Sequence, residues 1–147
     1  MYRELIFLFP FIGFGLTQLT KFFIKSNKFK LTWKYIFAYS GMPSSHSSLV
    51  VGTTAAMGFY DGFSSGLFVL SLVITIIVIS DALHLRNYMA KQGKVTNSLI
   101  KDLDDDEYLD GKYPKLLEHI GHTPAQIVVG SLIGLVVNII GAFLILF

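Results

Sequence analysis

The chain contains four apolar segments, each close to the length that crosses a lipid bilayer as a helix. They run from about Leu5 to Ile24, Pro43 to Tyr60, Ser65 to Ala82 and Pro124 to Phe147. A bilayer core requires ~20 apolar residues in a helix and leaves backbone polar groups no water to bind, so such segments fold as helices. Hydrophobic residues make up 52% of the 147 residues and charged residues only 15%, which excludes an ordinary soluble domain.

We therefore predict an all-α, polytopic membrane helical bundle, a single domain over residues 1–147 with about four to five membrane-embedded helices. The additional helix is the shorter segment from Leu31 to Ser40, whose Trp33 and Tyr35 are typical of an interfacial position. Small residues from Gly52 to Ala56, and again at Gly130 to Gly134, predict close packing between helices. The first segment has no small-residue cleavage site, so we interpret it as a retained span. Because the chain has no cysteine, disulfides and zinc–thiolate sites are excluded.

Basic residues cluster in the two longer connections between the apolar segments. The first connection carries Lys25, Lys28, Lys30 and Lys34, and the second carries six basic residues between Arg86 and Lys115. The positive-inside rule predicts both connections in the cytoplasm and both termini outside. We expect an integral, multi-pass protein of the plasma membrane. The net charge of +2 forms no basic stripe, so we expect no nucleic-acid partner.

The motif Gly41-Met-Pro-Ser-Ser-His-Ser-Ser48 lies where the first connection enters the second apolar segment. Pro43 suits the first turn of a helix. Ser44 and Ser45 offer hydroxyl and N–H donors at a positive helix end, where an oxyanion such as phosphate binds. His46 adds a titratable imidazole within reach of that anion. This combination is typical of phosphoryl transfer, and the alternative is a serine-rich cap beside an incidental histidine.

Five ionisable residues stand at the ends of the apolar segments. Lys21 ends the first, His46 begins the second, Asp81 and Arg86 end the third, and His122 precedes the fourth. In an up-and-down chain all five reach the same membrane face, where ionisable groups at the hydrocarbon boundary are costly and usually functional. We therefore predict that they share one site.

The surroundings of His122 predict how its imidazole is held. Thr123 is a natural N-cap and Pro124 a natural first helical residue. Gln126 lies about one turn beyond His122, where it is expected to hydrogen-bond the imidazole and select its tautomer. The acidic run from Asp102 to Asp110, with Asp102–Asp106 at its start, offers carboxylates for a divalent cation. It has no calcium-loop spacing, so we interpret it as a solvated loop and predict no metal site.

Pro43-Ser-Ser-His46 followed far downstream by His122-x-x-x-Gln126 resembles the type-2 phosphatidic acid phosphatase superfamily. That superfamily includes lipid phosphatases, bacterial acid phosphatases and vanadium haloperoxidases. The chain is most similar to its small divergent membrane branch, known as acid phosphatase/vanadium-dependent haloperoxidase-related. The matching segments are Gln18-x-x-Lys21, Gly41 to His46, Asp81…Arg86 and Gly121-His-Thr-Pro124.

The resemblance implies a role for each matching residue. His122 matches the nucleophile that takes the phosphoryl group, and His46 matches the acid that protonates the leaving oxygen. Phosphate-binding roles fall on Lys21, Lys28, Ser44, Ser45 and Arg86. Supporting roles fall on Asp81 and Gln126. Gln126 replaces the aspartate of the superfamily, and the Ser-Arg pair of its third motif is missing, with Leu116 six residues before His122. No cofactor is implied, since cations and N–H donors can hold the phosphate charge.

Together, these features predict a membrane lipid-phosphate phosphatase. It would hydrolyse a phosphomonoester or diphosphate without metal, through a phosphohistidine at the cytoplasmic face. The expected partners are the bilayer and a phosphorylated lipid, and homo-oligomerisation is left open. The main alternative is a catalytically silent relative that binds a phosphorylated lipid or belongs to a membrane complex. A small transporter or channel subunit and a vanadium haloperoxidase fit less well, because the chain shows neither repeats nor soluble bulk.

Overall fold

A computed structural model of the chain describes residues 3–24, 41–102, 115–118 and 120–146. These residues form helices and connections and contain no β-strand, which confirms the predicted all-α class. A 3₁₀ turn at Arg3–Leu8 leads into the first α-helix. The α-helices, in chain order, are α1 (Phe9–Phe23), α2 (Ser45–Asp61), α3 (Gly66–Leu83), α4 (Leu85–Lys101) and α5 (Pro124–Leu146).

Helix ends follow the capping residues of the sequence. Ser65 caps α3 by accepting a hydrogen bond from the Phe68 N–H at 3.1 Å. Gly62, with φ of +92°, ends α2, because a left-handed backbone there favours glycine. The prediction that Pro43 opens α2 is wrong. Ser44 is the N-cap, and α2 begins at Ser45, because the Ser44 hydroxyl accepts from the backbone N–H of Ser47.

In the described part of the chain, three helical stretches are long and apolar enough to cross a membrane: Arg3–Phe23, Gly66–Lys101 and Pro124–Leu146. The second of these comprises α3 and α4. Four spans were predicted, and the difference is α2, which has 17 residues and a high content of serine, threonine, glycine and alanine. Much of α2 is buried by its neighbours, so its composition reflects contact with helices more than contact with lipid.

Helix α2 lies at the centre of the bundle and runs parallel to α5. The backbone at Ser44 contacts Gly130, the backbone at Ser48 contacts Gly134, and Gly52 contacts the side chain of Asn138. A Cβ atom at either of the two α5 glycines would overlap a carbonyl oxygen of α2. The predicted small-residue packing is therefore confirmed, and its parallel register brings the first turns of α2 and α5 to the same end of the bundle.

Helix α1 runs antiparallel to α2 and α5. Near its start Pro10 contacts Gly52, and one turn later Gly13 contacts the hydroxyl of Ser48. At the end of α1, Lys21 reaches Ser45. A small apolar cluster of Ile6, Ala56 and Ala142 lies at the opposite end of the bundle from the starts of α2 and α5.

Helix α3 is attached to α2 by hydroxyl groups. Thr54 and Thr75 share a hydrogen bond of 2.8 Å, and the Thr75 hydroxyl lies 3.0 Å from the carbonyl oxygen of Val50. Each polar group is thereby satisfied without water. Among the residues of α3, only Thr75 and Ala82 are buried, so most of this helix is exposed.

Helix α4 was not predicted, because its basic residues led to the interpretation of the whole second connection as a loop. Its apolar residues Leu85, Tyr88, Met89, Val95 and Leu99 nevertheless follow helical spacing. The predicted interfacial segment Leu31 to Ser40 lies outside the described residues.

Candidate functional site

The first turn of α2 brings a buried lysine against a helix N-terminus. Lys21 is only 2% exposed, and its Nζ donates to the hydroxyl of Ser45 at 3.4 Å. The hydroxyl of Ser44 accepts from that of Ser47 at 2.9 Å, and the Ser44 backbone N–H donates to the carbonyl of Gln126 at 3.0 Å. Ser44 thus caps α2 and ties it to α5. A positive helix end beside a lysine favours an anion.

His122 is fixed at the start of α5 by bonds to two other helices. Its backbone N–H donates to the carbonyl of Ala82 at the end of α3, at 3.2 Å. Its carbonyl accepts from the side-chain amide of Asn87 in α4 at 3.1 Å, and that amide also donates to Leu83. A Cβ at position 121 would overlap the Asn87 amide, so glycine there permits the contact. His122 itself is only 2% exposed.

The tautomer of His122 follows from its contact with Gln126. The Oε1 atom of Gln126 accepts from the backbone N–H of Thr123 at 3.0 Å, while the hydroxyl of Thr123 accepts from the N–H of Gln126 at 3.4 Å. This reciprocal pair is a capping box. Because a backbone N–H can only donate, the side-chain atom facing it must be the amide oxygen.

The same oxygen lies 3.1 Å from Nδ1 of His122, so Nδ1 carries the proton of the neutral ring and Nε2 carries the lone pair. Nε2 is buried and has no hydrogen-bond partner among the described residues. The predicted hydrogen bond of Gln126 is therefore present, and it leaves the lone pair on Nε2.

The electrostatic environment of His122 favours the neutral form of its imidazole. Burial is the largest cause that lowers the pKa of His122 below its usual value, and the charges of Lys21, His46 and Arg86 lower it further. The hydrogen bond to Gln126 acts in the opposite direction. Groups from α1, α2 and α4 therefore act electrostatically on one imidazole at the start of α5.

The remaining predicted residues lie around this imidazole or outside the described part of the chain. The guanidinium of Arg86 forms an ion pair with the Asp81 carboxylate at 2.6 Å, and both side chains are about 30% exposed. His46 is half-buried, with its ring edge-on to Phe14 at a centroid distance of 6.4 Å. Lys28 and residues 103–114 of the acidic connection lie outside the described residues.

Within the described ranges, no three histidine, aspartate or glutamate side chains lie close enough to hold a metal ion. Asn87 was not predicted as part of the site. Its only signal in the sequence is its place next to Arg86, since its contact with His122 spans 35 positions.

Comparison with known proteins identifies the family. A family model described as the Divergent PAP2 family matches residues 2–137 of the chain. The chain belongs to the Divergent PAP2 family. It is also similar to "Uncharacterized membrane protein YuiD" of Bacillus subtilis (strain 168), with 31% identity over 123 residues and a match that covers 78% of this chain and 78% of that protein. No solved structure matches the chain. The family match agrees with the resemblance in the sequence, and with the apolar helices it indicates an integral, multi-pass membrane protein.

Proposed function

We propose that this member of the Divergent PAP2 family hydrolyses a phosphorylated lipid, either a phosphomonoester or a diphosphate, through a phosphohistidine on His122. The observation that carries the proposal is the tautomer of His122. Gln126 holds the proton on Nδ1, and Nε2 is buried with its lone pair available. A neutral imidazole with an available lone pair is the form that attacks phosphorus.

In the proposed reaction, Nε2 of His122 forms a bond to phosphorus as the bond to the leaving oxygen breaks. His46 gives its proton to that oxygen, and the lipid alcohol or the shortened phosphate leaves. Water then attacks the phosphohistidine while His46 takes a proton from it, which releases inorganic phosphate and regenerates His122. Both histidines thus return to their starting states.

Charge on the transferred phosphoryl group would be held by cations and helix-end donors. Lys21 and Ser45 lie at the N-terminus of α2, and Arg86 acts electrostatically on His122 from α4. Lys28 retains the phosphate-binding role implied by the resemblance, and Ser44 and Asp81 would act as supports, through the cap of α2 and the ion pair with Arg86. Because these cations can offset the phosphate charge, we propose that no metal is needed.

The test is phosphate release by the purified protein in lipid nanodiscs, measured against a panel of lipid phosphates with and without a chelator. His122→Ala should abolish release, and His84→Ala, which removes an exposed histidine instead, should retain it. With ³²P-labelled substrate, the native chain should form an acid-labile phosphoenzyme that His122→Ala does not form, and His46→Ala should slow the overall release of phosphate. Vanadate should inhibit, because it resembles the five-coordinate intermediate. Activity that survives His122→Ala, or that requires magnesium after chelation, would contradict the proposed route.

A catalytically silent, lipid-phosphate-binding protein is the second candidate. It is favoured by the neutral side chain of Gln126 and by the ion pair that engages Arg86 with Asp81. Both features weaken stabilisation of an imidazolium or of a phosphoryl group, but they leave an anion site intact. Saturable vanadate binding without turnover on any lipid phosphate would establish this candidate.

We further propose that the site faces the cytoplasm at the plasma membrane. The lysines from Lys25 to Lys34 and the basic residues of α4 support this orientation through the positive-inside rule. Cysteine labelling of intact cells checks it, because the chain has no cysteine of its own. A single cysteine replacing Lys94 should react only after the membrane is permeabilised, and one replacing Ser64 in the opposite turn should react before it.

A further inference from the structure

Helix α4 exposes a stripe of large apolar side chains immediately after a membrane span. Leu85, Tyr88, Met89, Val95 and Leu99 are each between 50% and 62% exposed. Their spacing places them on one side of the helix. The preceding helix α3 has 18 apolar-rich residues, a length of about 27 Å that crosses the hydrocarbon core. The apolar stripe therefore starts where the chain leaves the membrane.

The same helix is basic on another side. It carries Lys91, Lys94 and Lys101 and no acidic residue, while Arg86 is engaged with Asp81. The ammonium group of Lys91 lies over the ring of Tyr88, 5.6 Å from its centroid. A groove of about 540 Å³, within the usual range of small-molecule sites, opens beside Lys91 and Lys94 and also has Glu118 in its lining. An apolar stripe beside a row of cations is typical of a helix that lies against an anionic lipid surface.

The third side of α4 holds the segment that leads to His122. The Asn97 amide donates to the carbonyl of Leu116 at 2.9 Å and accepts from its N–H at 3.0 Å. Gly93 lies close to the carbonyl of Leu117, where a Cβ would be only 2.8 Å from the oxygen. Asn87 then binds the carbonyl of His122 itself. A shift of α4 would therefore move the backbone of His122.

We propose that α4 binds the anionic lipid surface of the membrane and that this contact holds His122 in its working position. The contact gives the site a means of sensing the lipid around it. The effect on turnover rests on the proposed function, whereas the lipid contact and its coupling to His122 do not.

The lipid contact is tested by spin labels on single cysteines at opposite sides of α4. The protein is placed in nanodiscs containing phosphatidylglycerol, and collision of each label with oxygen and with a water-soluble nickel chelate is measured. Labels replacing Val95 and Leu99 should favour oxygen, and labels replacing Lys94 and Lys101 should favour nickel. Equal nickel access on both sides would overturn the proposal. Dipolar broadening between copies at Val95 would also overturn it, by showing that a second copy covers the stripe.

Coupling to His122 is tested by hydrogen exchange over residues 116–122, relative to exchange in the first turn of α2. This ratio cancels the effect of the anionic surface on local pH. Adding phosphatidylglycerol should slow exchange in 116–122 about fivefold or more. Combining Lys91→Gln with Lys94→Gln should remove this slowing of exchange. Arg3→Gln removes a charge beside Tyr60 in the opposite half of the bundle and should retain the slowing. An equal response in both variants, or none in the native chain, would refute the coupling whether or not the protein is a phosphatase.

Discussion

Replacing Gln126 with glutamate should raise the pKa of His122 by about one unit. Glutamate keeps the length of the side chain, and it is a standard residue for this position of a capping box, so the bonds to Thr123 and His122 should persist. A neutral hydrogen bond contributes about 0.5–1.5 kcal/mol and one between charged groups about 1.5–3 kcal/mol. The difference of about 1–1.5 kcal/mol, gained only when the imidazole is protonated, corresponds to about one pKa unit.

The assay is a pH titration of the ¹⁵N-labelled imidazole by NMR in nanodiscs, which does not depend on turnover. In the native chain the pKa of His122 should lie below 6.5, because burial and the neighbouring cations disfavour its charged form. Gln126→Leu serves as the control: it removes the hydrogen bond that raises the pKa, so the pKa should fall further. A Gln126→Glu variant whose pKa is unchanged or lower would refute the assigned contact between these two side chains.

The glutamate variant also connects the contact to the proposed reaction. A carboxylate at position 126 stabilises the positive charge that develops on His122 when Nε2 attacks phosphorus. If the protein is a phosphatase, phosphoenzyme formation should therefore be preserved or accelerated in Gln126→Glu. Aspartate, the residue of the wider superfamily, is one methylene shorter than glutamate. In Gln126→Asp the carboxylate should therefore form a longer and weaker hydrogen bond with Nδ1 of His122.

Three further predictions concern packing and pH. Gly130→Ala should destabilise the bundle by roughly 1–3 kcal/mol, because the new Cβ would overlap the backbone at Ser44. Gly15→Ala, where no atom lies near the new Cβ, should be neutral or stabilising. Unfolding in SDS measures both. Thr54→Val and Thr75→Val should show a coupling of about 0.5–1 kcal/mol in a double-mutant cycle, and additive effects would contradict their shared bond. Thermal stability should fall as pH drops below about 6.5. Because the pKa of His122 is lower in the folded than in the unfolded chain, the unfolded chain binds the proton first and is thereby stabilised. His122→Gln should reduce this fall.

The sequence by itself determined the features that depend on solvent and on neighbours within one helical turn. Apolar segments fold as membrane helices because the bilayer offers no partner for an open backbone, so α1, α3 and α5 could be located from the sequence alone. The start of α5 at Pro124 and the bond from Gln126 to His122 were likewise predictable, since both involve residues no more than four apart.

Only the tertiary structure decided how these local features combine. The small residues Gly130 and Gly134 predicted close packing, but only the tertiary structure shows that their partner is α2 and that the two helices run parallel. Helix α4 was missed because its basic residues are typical of a loop, and the contacts of Leu116 and Leu117 with Asn97 and Gly93 become visible only in three dimensions. For the same reason, the role of Asn87 in holding His122 could not be read from the sequence. Contacts between distant residues depend on the packing of whole helices, whereas caps and spans depend on the residues themselves and on the solvent.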